Sequence, residues 1–405
     1  MAVIKRVRLS EIAELVTKGT TPTTLGYEFQ DTGVNFLKIE CFSEKGDYIQ
    51  NKATHISEEC HEKLKRSQLK EGDILFSIAG VIGRVAIVTR NMLPANINQA
   101  LAIIRIKKDD IYLPYVKLIL TSPLIKKQFE RKKQGVAQLN ISLKDINDLE
   151  IPLPEIGKQI EYANSFKKVE KLIYTRQYQL QKLDELVKAR FVELFGDPVG
   201  NPKAYYVATL QELICKGYIT YHLDGNHGGD YPKSDEFVET GIPYISANCI
   251  VNGEVDFAKA KYLTSERANK LRKGIAQNGD VLFAHNATVG PTVVLHTTEK
   301  KVILGTSLTA YRCDKEKILP NYLKTYMLSD GFVRQYSNEM KQTTRNQVPI
   351  TAQKRYLFLI PPIELQNQFA TFVEQVDKSK LQVPSGNALC IRYPIFIEMM
   401  FLRGV

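Results

Sequence analysis

One segment of this chain occurs twice. Glu71-Gly-Asp-Ile-Leu-Phe-Ser-Ile-Ala-Gly-Val-Ile-Gly83 returns as Asn278-Gly-Asp-Val-Leu-Phe-Ala-His-Asn-Ala-Thr-Val-Gly290, an offset of 207. The offset then holds without net slip. Leu101 and Arg105 fall on Leu308 and Arg312, Tyr115 and Lys117 on Tyr322 and Lys324, Pro154 and Gln159 on Pro361 and Gln366. Upstream, Leu64-Lys65-Arg66 matches Leu271-Arg272-Lys273; nearer the start the match loosens, Leu9 and Leu210 being 201 apart. A solenoid module would repeat every ~20–50 residues. A period this long describes a duplicated domain. Two similar domains suggest two similar things read at once, although duplication that only enlarges a scaffold gives the same pattern.

The 405 residues hold about two or three domains with full cores, and the repeat favours two. A formal net charge of +11 favours a polyanionic partner, nucleic acid first and an anionic membrane second; a solvated basic surface without a partner fits the charge equally. The six cysteines, Cys41, Cys60, Cys215, Cys249, Cys313 and Cys390, form no C-x-x-C pair and do not recur between the copies. They read as buried thiols of a reducing compartment. The start, Met-Ala-Val-Ile-Lys-Arg-Val-Arg, lacks the apolar stretch of a signal peptide. No apolar run reaches the roughly 18 residues of a membrane helix. The expectation is a soluble, cytoplasmic protein with no membrane partner.

Each copy is expected to open with a short helix. Leu9-Ser-Glu-Ile-Ala-Glu-Leu-Val starts with Ser10 as a possible cap, and Thr209-Leu-Gln-Glu212 has capping-box spacing. Short β-prone runs follow at Val34, Ile242, Asp73, Asp280, Val85 and Thr292, and the recurring Gly-Asp reads as a turn that launches a strand. Helical segments from Pro114 and Tyr322 come next. The fold class is therefore α+β. Between Ile156 and Phe195 there is no Pro, and apolar residues recur at Ile160, Ala163, Phe166, Val169, Ile173, Leu180, Leu183, Val187 and Leu194. Those steps of mostly three and four describe one long amphipathic helix, which wants a partner helix along its stripe. Gly196-Asp-Pro-Val-Gly-Asn-Pro202 stops it. The second copy begins the same helix at Ile363, but Pro384 and Pro394 break it soon after Lys380. The expected organisation is a first domain over 1–155, the long helix over 156–196 and a second domain over 197–362. A shortened distal helix over 363–380 and a divergent tail over 381–405 follow. An antiparallel pair of these helices would leave Ile173 to Val187 without a repeat-related partner.

No catalytic signature is present: no Walker A sequence, no Gly-x-Gly-x-x-Gly, no His-Glu-x-x-His, no Gly-x-Ser-x-Gly and no Asn/Asp-Pro-Pro-Tyr/Phe. His55, Cys60 and His61 fit no usual zinc spacing and lack counterparts, so neither a metal nor a cofactor is expected. What recurs is a basic, amide-rich loop before each proline motif. The first copy has Lys126, Lys127, Arg131, Lys132, Lys133, Gln134, Gly135, Gln138 and Asn140. The second has Arg334, Gln335, Lys341, Gln342, Thr343, Thr344, Arg345, Asn346 and Gln347. Lys and Arg neutralise phosphates, while Gln, Asn and Arg read base edges; solvated helix ends explain any single one of these residues as well. Lys18, Thr20 and Thr21 offer further phosphate contacts. Ser77, Arg84, Asn98 and Gln99 face His285, Asn286, Thr288 and Thr306 across the repeat. Arg105 and Arg312 recur mid-strand and read as either structural or functional.

Lys18-Gly-Thr-Thr-Pro, the Gly-Asp-Ile-Leu-Phe-Ser-Ile-x-Gly-x-Ile-Gly core, Asn96-Ile-Asn-Gln-Ala, Asn140-Ile-Ser and Ile151-Pro-Leu-Pro stand in order, followed by a long helix. Seen twice, the set resembles the specificity subunit of type I restriction-modification enzymes, from about Leu9 to Lys380. The resemblance implies two target-recognition domains that each read half of a split double-stranded DNA site, with long helical regions forming an antiparallel coiled coil between them. It also implies methylation subunits that dock on the helices, here the stripe Ile160, Val169, Ile173, Leu180, Leu183 and Val187, and restriction subunits. S-adenosylmethionine, ATP and magnesium would act on those partners and not on this chain. Two other classes compete: a stand-alone methyltransferase or nuclease, which the missing motifs disfavour, and an adaptor that recruits partners without reading bases. The shortened distal helix departs from the family pattern.

Overall fold

The computed structural model describes residues 4–107, 110–131, 140–226, 230–340 and 346–382. Two compact units make up the described chain, the first ending at Gln177 and the second beginning at Tyr178. Each is α+β. In the first, an antiparallel sheet runs in the order Ala13–Lys18, Leu101–Ile106, Ile74–Ser77, Val85–Ile87. A second sheet sets Val34–Leu37 antiparallel to Thr54–Ile56 and parallel to Ala95–Ile97. The run Ile74-Leu-Phe-Ser77 is apolar without alternation because both faces are covered. Ile74 and Phe76 meet Tyr115, Val116 and Ile119 of the helix Leu113–Leu120, while Leu75 turns to Leu37, Met92 and Ile97.

The second unit repeats this order with Ile219–Asp224, Leu308–Cys313, Val281–Ala284 and Thr292–Val294. Its other sheet again contains a parallel pair, Ile242–Ile245 with Val302–Leu304. No helix among the described residues is long and apolar enough to cross a membrane.

The recurring Gly-Asp launches a strand, as expected, and has a partner in the recurring arginine. Asp73 accepts from Arg105 Nε at 2.7 Å and Nη2 at 2.8 Å, and from the Lys70 N–H at 2.7 Å. Asp280 does the same with Arg312 and the Gln277 N–H. Hydrogen bonding to these carboxylates pushes both arginine pKa values further up. Arg105 and Arg312 are therefore structural. Gln335, grouped by sequence with the reading loop, is structural too. Its side-chain amide clamps the Leu357 backbone at 2.7 and 3.0 Å, as Gln128 clamps Glu150 in the first unit.

Two sequence expectations are corrected. The opening helix of the first copy covers only Leu9–Ile12, with Arg8 and not Ser10 as its cap; Ala13–Lys18 is a strand. Pairing with Leu101–Ile106 outweighs the weak helical pattern of Ala13 to Val16. In the second copy the capping box at Thr209 and Glu212 forms as expected. One pair of cysteines does recur, and Cys215, expected to be buried, is exposed. Cys41 and Cys249 each end a short 3-10 turn, are buried, and direct Sγ to the carbonyl of Lys52 or Lys259. Their offset is 208, so a one-residue slip hid the match. Burial raises both thiol pKa values, which suits inert core thiols.

The long helix runs without interruption over Ile156–Phe195, 40 residues. Between Phe166 and Arg190 its less exposed positions are Phe166, Val169, Ile173, Arg176, Leu180, Leu183, Val187 and Arg190. They step strictly by four and three, a 3.5-residue repeat that marks a coiled-coil seam. Ile160 stands off this seam and is exposed. Within the second unit, the distal helix Ile363–Gln382 lies antiparallel to the end of the long helix. Phe369 meets Phe191 and Phe195 at 5.5 and 5.6 Å, Arg190 lies over the Phe372 ring, and Lys380 pairs with Asp184 at 2.8 Å. Val187, expected in the uncovered stretch, packs on this unit's core. The tail after Gln382 lies outside the described residues.

Candidate nucleic-acid interface

In the first unit, four chain segments meet at one end of the four-stranded sheet. The strand Ala13–Lys18 arrives there, with Lys18 opposite Ala102. The strand Leu101–Ile106 departs from it, and Ser77 ends the central strand opposite Leu101. The Ile78 N–H donates to the Ala100 carbonyl at 2.9 Å, and the Ile141 N–H donates to the Ile78 carbonyl at 3.0 Å. Lys18, Thr20, Thr21, Asn98, Gln99 and Asn140 therefore share one rim, where Thr21 Oγ1 hydrogen-bonds Gln99 Oε1. Lys18 and Asn140 are exposed.

The second unit builds the same rim from different side chains. The Val348 N–H donates to the His285 carbonyl at 2.8 Å, the counterpart of the Ile141–Ile78 bond. The Ala287 N–H donates to the Asn346 carbonyl at 3.0 Å, and Asn286 bridges Gln347. Asn286, exposed Thr288 and exposed Asn346 thus lie together beside Thr306.

Among the expected contacts, Lys132, Lys133, Gln134 and Gln138 lie outside the described residues, as do Lys341, Thr343, Thr344 and Arg345. The segments that flank them enter the two rims at Asn140 and Asn346. Arg84 does not join the rim. Its Nη1 donates to the Ile39 and Phe42 carbonyls at 3.1 and 2.7 Å, tying a loop to the start of the strand Val85–Ile87. Of the helix residues expected to dock partners, Val169, Ile173, Leu180, Leu183 and Val187 lie on the seam.

The backbone crossing at two rim glycines, one of them inside the Lys18-Gly-Thr-Thr-Pro motif, was not anticipated from the residues. Gly19 and Gly225, offset by 206, each carry the end of the edge strand across another backbone. A Cβ on Gly19 would collide with the Ile97 carbonyl, and one on Gly225 with the Gly305 carbonyl. The recurring glycine was the available signal, hidden by the local change of offset. Gly19→Ala is expected to cost the first unit about 1–3 kcal/mol through forced displacement of backbone. Thermal unfolding of the variant measures it, and an unchanged transition would contradict the crossing.

The family model described as the type I restriction modification DNA specificity domain matches residues 3–185 and 222–385. The chain belongs to this family. The type I restriction enzyme MjaVIII specificity subunit of Methanocaldococcus jannaschii is 23% identical over 275 residues, covering 66% of this chain and 64% of that protein. The type I restriction enzyme EcoBI specificity subunit of Escherichia coli is 32% identical over 142 residues, covering 35% of this chain and 28% of that protein. The chain thus matches less than two thirds of the length of either relative. A structure of the type I restriction-modification S subunit from M. genitalium is similar with a TM-score of 0.55 at 15% identity, covering 100% of this chain and 98% of that one. Another, from work on complex assembly and conformational transition of the type I R-M system, gives 0.58 at 17%, covering 98% and 97%. At these identities the likeness shows the fold.

Proposed function

We propose that this chain is the DNA-specificity subunit of a type I restriction-modification complex, reading a bipartite double-stranded target with its two rims. The carrying observation is one backbone frame built twice, with the matching bonds Ile141–Ile78 and Val348–His285, and dressed with different polar side chains. Two readers of one design with unlike contacts suit a target of two unlike halves. The long helix would dock methylation subunits along its seam, and restriction subunits would join that assembly. Base methylation with S-adenosylmethionine and ATP-driven cleavage with magnesium would belong to those partners, in the cytoplasm.

Methylome sequencing of a strain expressing this chain with its cognate methylation subunit tests the reading. A single bipartite motif is expected. Replacing Gln134, Gln138 and Asn140 is expected to relax one half of it, and replacing Lys341, Arg345 and Asn346 the other. Each bidentate base contact contributes about 1–3 kcal/mol, enough to register in a methylome. Loss of both halves together would mean that the loops only stabilise the fold.

The charge of +11 adds a second expected result. Binding of the chain to duplex DNA should weaken with salt, log K falling by about 0.9 per phosphate neutralised for each tenfold rise in salt. Fluorescence anisotropy across a salt series measures it; a flat response would remove the electrostatic part of the argument.

A further inference from the structure

Behind the second rim lies a buried polar network that the first unit lacks. Gln353 Oε1 accepts from the Tyr311 hydroxyl at 2.6 Å and lies 3.1 Å from His222 Nε2. Gln353 Nε2 donates to Thr309 Oγ1 at 3.2 Å and to the Val348 carbonyl at 3.3 Å. Thr309 Oγ1 lies 2.9 Å from His285 Nδ1. Gln353, Thr309, Tyr311 and His285 are each at most 1% exposed. The first unit places Val16, Ile78, Ala102, Ile104 and Ile146 at the five corresponding positions. Four follow from the offset of 207 (His285, Thr309, Tyr311 and Gln353), and Val16 faces Ile104 as His222 faces Tyr311.

An apolar core of this shape is therefore compatible with the fold, and burying polar groups in its place yields little net stability. What hydrogen bonds add is direction, because apolar contacts leave rotation and register weakly specified. This network ends on the rim. Gln353 closes the helix Ile350–Gln353 and holds Val348, whose own N–H is bound to His285; His285 leads directly into Asn286 and Thr288. The first rim has Asn98 and Gln99 to brace it. Their counterparts here are Gly305 and Thr306.

We propose that Gln353, through His222, Tyr311, Thr309 and His285, positions the second unit's recognition segments, residues 285–290 and 346–348. The proposal rests on the DNA-reading function for its biological consequence, but the positioning itself is testable on the free chain. Two variants serve: Gln353→Met, near in size without the amide, and the five-fold exchange H222V, H285I, T309A, Y311I and Q353I, which installs the first unit's residues. The exchange variant guards against a fold lost through stranded polar groups, and Gln353→Met guards against an overpacked exchange.

Hydrogen–deuterium exchange of the full chain should show residues 285–290 and 346–350 exchanging about 5- to 10-fold faster in either variant, the effect of one or two lost hydrogen bonds. The first unit should stay unchanged. Methylome sequencing with the cognate methylation subunit should show the second half of the motif relaxed and the first half kept, even where the melting temperature is unaltered. Unchanged exchange at both segments overturns the proposal, as does a second half read with full discrimination by a folded variant. Absence of any bipartite motif from the wild-type chain would overturn the DNA-reading function instead, leaving exchange to decide the positioning.

Discussion

Asp280→Ala is expected to destabilise the second unit by about 3 kcal/mol, near the low end of what breaking a buried ion pair costs. The low end applies because the Arg312 side chain keeps 26% exposure while that of Asp280 has 1%. Removal strands the guanidinium next to Tyr221, over whose ring it lies at 4.7 Å. It also removes the acceptor of the Gln277 N–H. For a unit of this size the loss corresponds to a fall of roughly 6–12 °C in melting temperature. Asp73→Ala should act alike on the first unit, since its carboxylate makes the same three bonds. Calorimetry of the full chain separates the two if each variant lowers its own unit's transition. A double variant with Arg312→Met should recover part of the loss, because the stranded charge goes with its partner. A fall below about 1 kcal/mol would mean that water satisfies the arginine, and that the recurring pair is held by something other than stability.

Periodicity and repetition were readable in the residues because they record local geometry. The long helix needed only steps of three and four, and it ends at Phe195 where Gly196 adopts positive φ. The strands at Ile74 and Val281 were visible as apolar runs behind a Gly-Asp turn. Long-range pairing was not visible. Ala13–Lys18 becomes a strand because of a partner some ninety positions away, and Arg105 finds Asp73 beside the directly paired neighbouring strand. Small slips in the offset concealed Gly19 with Gly225 and Cys41 with Cys249. The rim itself was half readable. Residue types chosen for phosphates and bases picked out Lys18, Asn140, Asn286 and Asn346, which do converge in their units. The same criterion also chose Arg84, whose Nη1 is bonded to two backbone carbonyls, and Gln335, whose amide is bonded to backbone. Composition marks what a side chain can bond, whereas only the fold decides which bonds it has already made.

The second unit should also be sensitive to mild acid in a way the first is not. Burial lowers the pKa of His222 to about 4 from an ordinary 6.5; the Lys354 charge and His285 push the same way, and the Gln353 bond and Asp224 oppose them. The folded state therefore binds fewer protons than the unfolded one between those values. Stability from the neutral imidazole is fully present above the unfolded pKa and is lost as pH falls through 6.5 towards 4. Integrated over the shift, the loss is about 3 kcal/mol, with a slope near 1.4 kcal/mol per pH unit inside the window. Ordinary carboxylates titrate near 4, so the interval from pH 6.5 to 5 isolates histidine titration, and comparison with His222→Gln assigns the share of His222. In the first unit the corresponding residue is Val16, opposite Ile104, which carries no proton to exchange. Denaturant unfolding at successive pH values should thus show the second unit's midpoint falling by an amount worth about 2 kcal/mol by pH 5. The first unit's should hold. In His222→Gln the slope should flatten. Equal acid sensitivity of both units, or an undiminished slope in that variant, would place the titrating group elsewhere and leave His222 solvated enough to hold an ordinary pKa.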